Sequence, residues 1–153
     1  MEQGRACSGR QRMDNTPFTD TIREILAQRT FAVVGASRNP EKYGNKVYRA
    51  LKRHGYKVFA VNPNAETVDG DPAYPRLDNI PEPIDCIVAV VPPHVTEQIM
   101  REAGRLHIPY VWMQPGSESE AAVNAAVAHG LEAVHGGPCI MVAAAAHRPE
   151  QSD

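Results

Sequence analysis

Five short apolar runs recur along the chain: TFAVV (30–34), KVFAV (57–61), IDCIVAVV (84–91), PYVWM (109–113) and LEAVH (131–135). Runs of this kind, bounded by turn signals, read as strands buried on both faces. Helix-patterned segments of about 10–15 residues alternate with them, which requires a mainly parallel sheet covered on both sides. The predicted fold is therefore a single α/β domain with an open sheet, helices on both faces and right-handed crossovers. A length of 153 residues suits one such core.

The helices have their own signals. Thr21 and Glu24 have capping-box spacing, and Ile22, Ile25 and Leu26 follow at helical intervals, which predicts a first helix across one end of the sheet. Val47, Ala50, Leu51 and His54 mark one face of a second helix that starts near Gly44 and stops at Gly55. Pro92 and Pro93 open a third, with Val95, Ile99, Ala103 and Leu106 as its buried stripe. Ser117 and Glu120 form a second capping box before an Ala-rich helix that ends at Gly130.

Prolines 63, 72, 75, 81 and 83 crowd residues 62–83. They predict a long connection with a short edge strand near Ala73 and Tyr74 and one helical turn near Asp78. Residues 1–15 read as a disordered extension and 16–142 as the domain. Residues 143–153 read as a loose tail with room for one frayed turn.

Composition excludes several classes. A net charge of −2 gives no global drive toward nucleic acid or a membrane surface. No apolar run approaches the roughly 18 residues of a membrane span. The polar N-terminus lacks the apolar centre of a signal peptide. Cys7, Cys86 and Cys139 are odd in number and far apart, which fits a reducing, cytoplasmic setting without a disulfide framework. The six histidines form no HxH, HxxxH or Cys/His cluster, so no metal site is expected.

The functional signal is the loop VVGASRNPEKYG, residues 33–44. In an open parallel sheet, ligands lie outside the carboxyl ends of the strands at the topological switch point. Three loops should meet there: Gly35–Gly44, Pro92–His94 and Gln114–Ser117. Gly35 and Ala36 let the backbone approach a ligand closely, and the following helix offers unpaired N–H groups to an anion. Ser37 adds a hydroxyl, and Arg38, Lys42 and Lys46 add charge. The spacing is not GxGxxG, and similar turns occur in α/β domains that bind no nucleotide, so the loop by itself is weak evidence.

Charge placement strengthens it. Residues 38–57 carry seven of the sixteen Lys and Arg residues against one acid, Glu41. Arg49, Lys52 and Arg53 are assigned to a solvated helix face, whereas Arg38 and Lys42 flank the loop and are assigned to an anionic ligand. The second strand ends in Asn62-Pro63, where NAD sites place a carboxylate on the ribose diol. NAD is thereby disfavoured, and a nucleotide with an extra ribose phosphate, CoA or NADP, is favoured.

VVGAS-RNPEKYG, the VNP after the second strand, the VVPP after the central strand and the QPG after the next together resemble a family. They look like the small stand-alone CoA-binding proteins of the YccU-like group, similar to the N-terminal CoA-binding domain of the succinyl-CoA synthetase alpha subunit. The resemblance runs from about Thr16 to Val142. It implies a Rossmann-like fold with CoA or an acyl-CoA across the carboxyl edge. By position, Gly35, Ala36, Ser37 and Arg38 should line the phosphates, with Lys42 near them. Asn62 and Pro63 should lie near the adenosine, Val91 and Pro92 beside the ligand's midsection, and Met113, Gln114 and Pro115 toward the pantetheine arm. The synthetase subunit has a smaller turn where this chain has RNPEKY, so the contacts of Arg38 and Asn39 are left open.

The synthetases also need a phosphorylatable histidine in a second domain and an ATP-binding partner. No histidine here matches that motif, and the sequence does not extend to either part. His94 lacks an identifiable orienting partner for general-base work. The expectation is a non-catalytic carrier, sensor or subunit that binds CoA, with a protein partner or homo-oligomer left open. The alternative is an NAD(P)-binding redox enzyme or redox sensor on the same fold. Cys86 reads as buried and inert. Cys139 reads first as a small residue packed in a tight turn. The alternative is a thiol close enough to the carboxyl edge to form a mixed disulfide with CoA.

Overall fold

The computed structural model describes residues 18–147. The expected extension at 1–15, Cys7, and the tail beyond residue 147 lie outside the described residues. The element order is α1 Thr19–Leu26, β1 Thr30–Val34, α2 Tyr43–Arg53, β2 Lys57–Val61, β3 Thr67–Val68, β4 Asp71–Tyr74, a 3-10 turn at Leu77–Asn79, β5 Cys86–Ala89, α3 Pro93–Arg105, β6 Tyr110–Met113, α4 Glu120–Ala128, β7 Glu132–Val134 and α5 Ile140–Ala146.

The seven strands form one sheet in the order β3-β4-β2-β1-β5-β6-β7. Every neighbouring pair is parallel except β3 with β4. This is the expected α/β architecture, a Rossmann-like open sheet. The chain leaves β1 toward β2 on one side and later returns to pair β5 on the other. The switch point therefore lies outside the carboxyl ends of β1 and β5.

Alternation along each strand divides the core in two. Phe31, Val33, Ala60, Cys86, Val88, Trp112 and Val134 pack with Ile25 and Leu26 of α1, Val47, Tyr48 and Leu51 of α2, and Ile140 and Ala144 of α5. On the opposite face, Ala32, Val34, Val61, Ile87, Val111 and Met113 pack with Met100 and Ala103 of α3 and with Ala122 and Ala126 of α4.

Several local expectations are corrected. α1 starts at Thr19 with no side-chain cap, so Thr21 is inside the helix and its capping box does not form. Asp20 instead provides negative charge in the first turn, where the helix dipole favours it. Ser119, not Ser117, caps α4 by accepting from the Ala122 N–H at 3.0 Å. Ser117 is diverted to a tertiary partner, since its hydroxyl accepts from the Val91 N–H at 3.0 Å.

The buried stripe of α3 is Thr96, Met100 and Ala103, while Leu106 is 40% exposed. β5, Cys86–Ala89, is shorter than the run 84–91, and just before it the Asp85 carboxylate accepts the N–H groups of Arg29 and Thr30. The proline-rich connection holds β4 and the helical turn where expected, but the sheet's edge is a further strand, β3. α5 runs through the expected boundary at 142, with Ala144 buried against the core, so residues 143–146 are helix rather than loose tail.

Candidate functional site

The loop after β1 is built by close backbone approach. Gly35 has φ +97°, and a Cβ there would fall 2.1 Å from the Val90 carbonyl oxygen. The Gly35 N–H donates to the Val61 carbonyl at 3.0 Å. One glycine thus brings together the ends of β1, β2 and β5.

From Gly35 the chain runs through exposed Arg38 to α2, whose first turn returns to the loop. Ser37 Oγ accepts from the Asn39 N–H at 3.1 Å, and Asn39 Oδ1 accepts from the Glu41 N–H at 2.9 Å. The Asn45 carboxamide, 1% exposed, donates to the Ser37 carbonyl at 2.8 Å. The Asn62 carboxamide donates to the Ala36 carbonyl at 2.8 Å and accepts from the Asn64 N–H at 2.7 Å. The N–H groups of Ser37, Arg38, Tyr43 and Gly44 have no acceptor among the described residues. Arg38, Lys42 and Lys46 are exposed and form no ion pair among the described residues. Unengaged N–H groups and unpaired cations at one edge suit an anion such as a phosphate.

A second cluster lies where β6 ends. Gln114 is fully buried and ties three segments together. Its Nε2 donates to Tyr43 Oη at 2.6 Å and to Cys139 Sγ at 3.4 Å, and its Oε1 accepts from the Ile140 N–H at 2.7 Å. Tyr43 Oη and Cys139 Sγ share a hydrogen bond at 3.1 Å. Burial pushes the Cys139 thiol up, but bonds from Tyr43, Gln114 and the Val142 and Met141 amides outweigh it and lower the pKa. Tyr43 is pushed up to about 12, first by burial and then by its bond to Cys139. Cys139 is therefore a half-buried, hydrogen-bonded thiol rather than a residue packed only by apolar contact. Cys86 is fully buried, and burial drives its pKa up.

The sequence-predicted residues divide into a rim and a support. Arg38, Lys42, Pro63, Pro92 and Pro115 are exposed, while Ser37, Asn62 and Val91 are half-buried. Ala36, Met113 and Gln114 are fully buried, Met113 within the core on the α3 and α4 face. Of these, Asn62 is joined to Ala36 by a hydrogen bond, and Gly35 lies against Val91, whose side chain would be 2.8 Å from a Cβ at Gly35. Arg49 and Arg53 are exposed on α2, and Lys52 pairs with Asp71, as a solvated face requires. The sequence assigns no role to the Tyr43 and Asn45 side chains, and to Ser117 it assigns a helix cap rather than the bond to Val91 that it makes. The YGN at the start of α2 follows a glycine loop, but helical periodicity does not mark its asparagine as buried.

A family model described as a CoA binding domain matches residues 29–145. The chain is 32% identical over 105 residues to an ADP-forming acetate–CoA ligase of Archaeoglobus fulgidus, covering 69% of this chain and 15% of that protein. The chain thus spans about one seventh of that relative's length. A conserved hypothetical protein of Pyrococcus furiosus superposes with a TM-score of 0.71 at 41% identity, covering 75% of this chain and 98% of that one. A hypothetical protein of Pyrococcus horikoshii superposes with a TM-score of 0.78 at 33% identity, covering 90% and 96%. The family match opens one residue before β1 and closes within α5. Every loop of the carboxyl edge falls inside it, and the chain belongs to the CoA-binding domain family.

Proposed function

We propose that this protein binds coenzyme A or an acyl-CoA across the carboxyl edge of its sheet and acts as a carrier, sensor or subunit. The observation that carries this reading is the loop after β1. There the Ser37, Arg38, Tyr43 and Gly44 N–H groups have no acceptor among the described residues and lie in the segment that carries Arg38, Lys42 and Lys46. Phosphates would accept from these groups and be neutralised by the cations. Arg38 and Lys42 are the residues proposed for the phosphates, Asn62 and Pro63 for the adenosine end, and Pro92 and Pro115 for the rim along the arm.

The end of β2 supports CoA over NAD. Both polar groups of the Asn62 side chain are engaged within the protein, and no carboxylate replaces them as a diol acceptor.

Calorimetric titration of the purified, CoA-free protein with CoA, NADH and NADPH tests the reading. The expected result is saturable CoA binding at least about tenfold tighter than either nicotinamide nucleotide. Preferential NADH or NADPH binding would move the protein to the redox class, and no binding of CoA would overturn the proposal.

A further inference from the structure

Two asparagines from different elements hold two consecutive carbonyls of the loop after β1. Asn62, just past β2, donates to the Ala36 carbonyl, and Asn45, in the first turn of α2, donates to the Ser37 carbonyl, each at 2.8 Å. No peptide bond among the described residues is cis. In a planar trans peptide the N–H points opposite the carbonyl it shares a plane with. Fixing the Ala36 carbonyl toward Asn62 therefore turns the Ser37 N–H away from Asn62. Fixing the Ser37 carbonyl toward the buried Asn45 turns the Arg38 N–H away from the interior. Neither N–H has an acceptor among the described residues. Rotating either plane would break its carboxamide bond and present a carbonyl oxygen to an anion.

The two side chains are suited to this task. Asn62 Oδ1 accepts from the Asn64 N–H, which fixes the amide group with its donor toward Ala36. Asn45 Oδ1 is buried and has no hydrogen-bond partner among the described residues. A polar atom left unpaired inside the protein is unfavourable, and an apolar residue of similar shape would avoid it. The asparagine at 45 is thus explained by its donor, not by a gain in packing.

We infer that Asn45 and Asn62 are positioning residues, a two-point clamp on the Ala36 and Ser37 carbonyls that orients the Ser37 and Arg38 N–H groups toward the diphosphate of a nucleotide ligand. The inference rests on the proposed CoA site and names what sets its affinity for phosphate.

The test compares wild type with Asn45→Leu and Asn62→Ala, using CoA, pantetheine and inorganic pyrophosphate as probes. Pantetheine has the arm of CoA without its phosphates. In the folded variants, CoA affinity should fall by about tenfold or more, as for lost hydrogen bonds to charged groups, with pantetheine affinity unchanged. In the wild type, amide NMR signals of Ser37 and Arg38 should move on adding CoA or pyrophosphate and stay still with pantetheine. CoA affinity within about twofold of wild type, or an equal loss for pantetheine, would overturn the clamp. So would Ser37 and Arg38 signals that no phosphate moves. Should a variant not fold, the wild-type amide signals decide. Pyrophosphate shifting these amides while CoA does not bind would instead overturn the CoA reading and leave the clamp in place.

Discussion

Gly44 lies directly against Gly35, so that a Cβ on Gly44 would fall 2.0 Å from the Gly35 carbonyl oxygen. No side chain fits between the start of α2 and the end of β1. This contact lets the first turn of α2 reach the loop, and with it the Tyr43 and Gly44 N–H groups, which have no acceptor among the described residues.

Gly44→Ala and Gly35→Ala should both destabilise the fold. At Gly35 the added methyl meets the Val90 carbonyl and the positive φ adds backbone strain, so a loss of about 3 kcal/mol is expected. At Gly44 the overlap is partly offset by better helix propensity, and about 2 kcal/mol is expected. Denaturant midpoints measure both. A midpoint near wild type for either variant would refute the close packing of these two backbones.

Reversing charge at the loop should discriminate between phosphates. Arg38→Glu and Lys42→Glu are expected to weaken CoA by about tenfold or more, and dephospho-CoA by less. Calorimetry with the two ligands reads the difference. Equal losses would place both side chains on the diphosphate instead of the ribose phosphate.

The two described cysteines should differ in reactivity. Cys139 is half-buried with a lowered pKa, so more of it is thiolate near neutral pH than in an ordinary cysteine. Iodoacetamide followed by peptide mass mapping should label Cys139 and spare Cys86 in the folded protein. Tyr43→Phe removes a donor to the sulfur, raises its pKa and should slow labelling at pH 7 by about threefold or more. An unchanged rate in Tyr43→Phe would remove Tyr43 from the thiol's environment.

The tie between α2 and β4 should depend on pH. Tyr48, 1% exposed, donates to Asp71 at 2.7 Å, and Lys52 pairs with the same carboxylate. These bonds, Lys52's first, hold the Asp71 carboxyl below its usual value. The folded state thus binds this proton less readily than the unfolded chain. The stabilisation is present above the ordinary aspartate range and is lost as pH falls through the lowered native value. Tyr48→Phe should lose about 1 kcal/mol at pH 7. The stability gap between wild type and Asp71→Asn should close on acidification, as followed by denaturant melts across pH. A gap that widens in acid would contradict the assignment.

Much of the fold was legible because its causes are local. The apolar runs at 30–34 and 57–61 match β1 and β2 residue for residue. A continuous buried run has few alternatives to a central strand, and Gly35 followed by a helix pattern marks the turn at the carboxyl end of β1. Ser117 was misread because two serines stood within reach of one helix start. A tertiary donor, the Val91 N–H, took the first and left Ser119 to cap α4.

The sequence by itself determined the parallel α/β class, the position of the glycine loop and the concentration of positive charge around it. Those follow from hydrophobic runs, turn residues and composition, which act over a few neighbouring positions. Tertiary structure decided which side chains face which. Tyr43 meets Cys139 across 96 positions of chain, Asn62 reaches the Ala36 carbonyl across 26, and Gln114 joins α2 to α5 from the end of β6. Such hydrogen bonds depend on angstrom-scale placement that only the assembled sheet provides, so no local pattern along the chain encodes them.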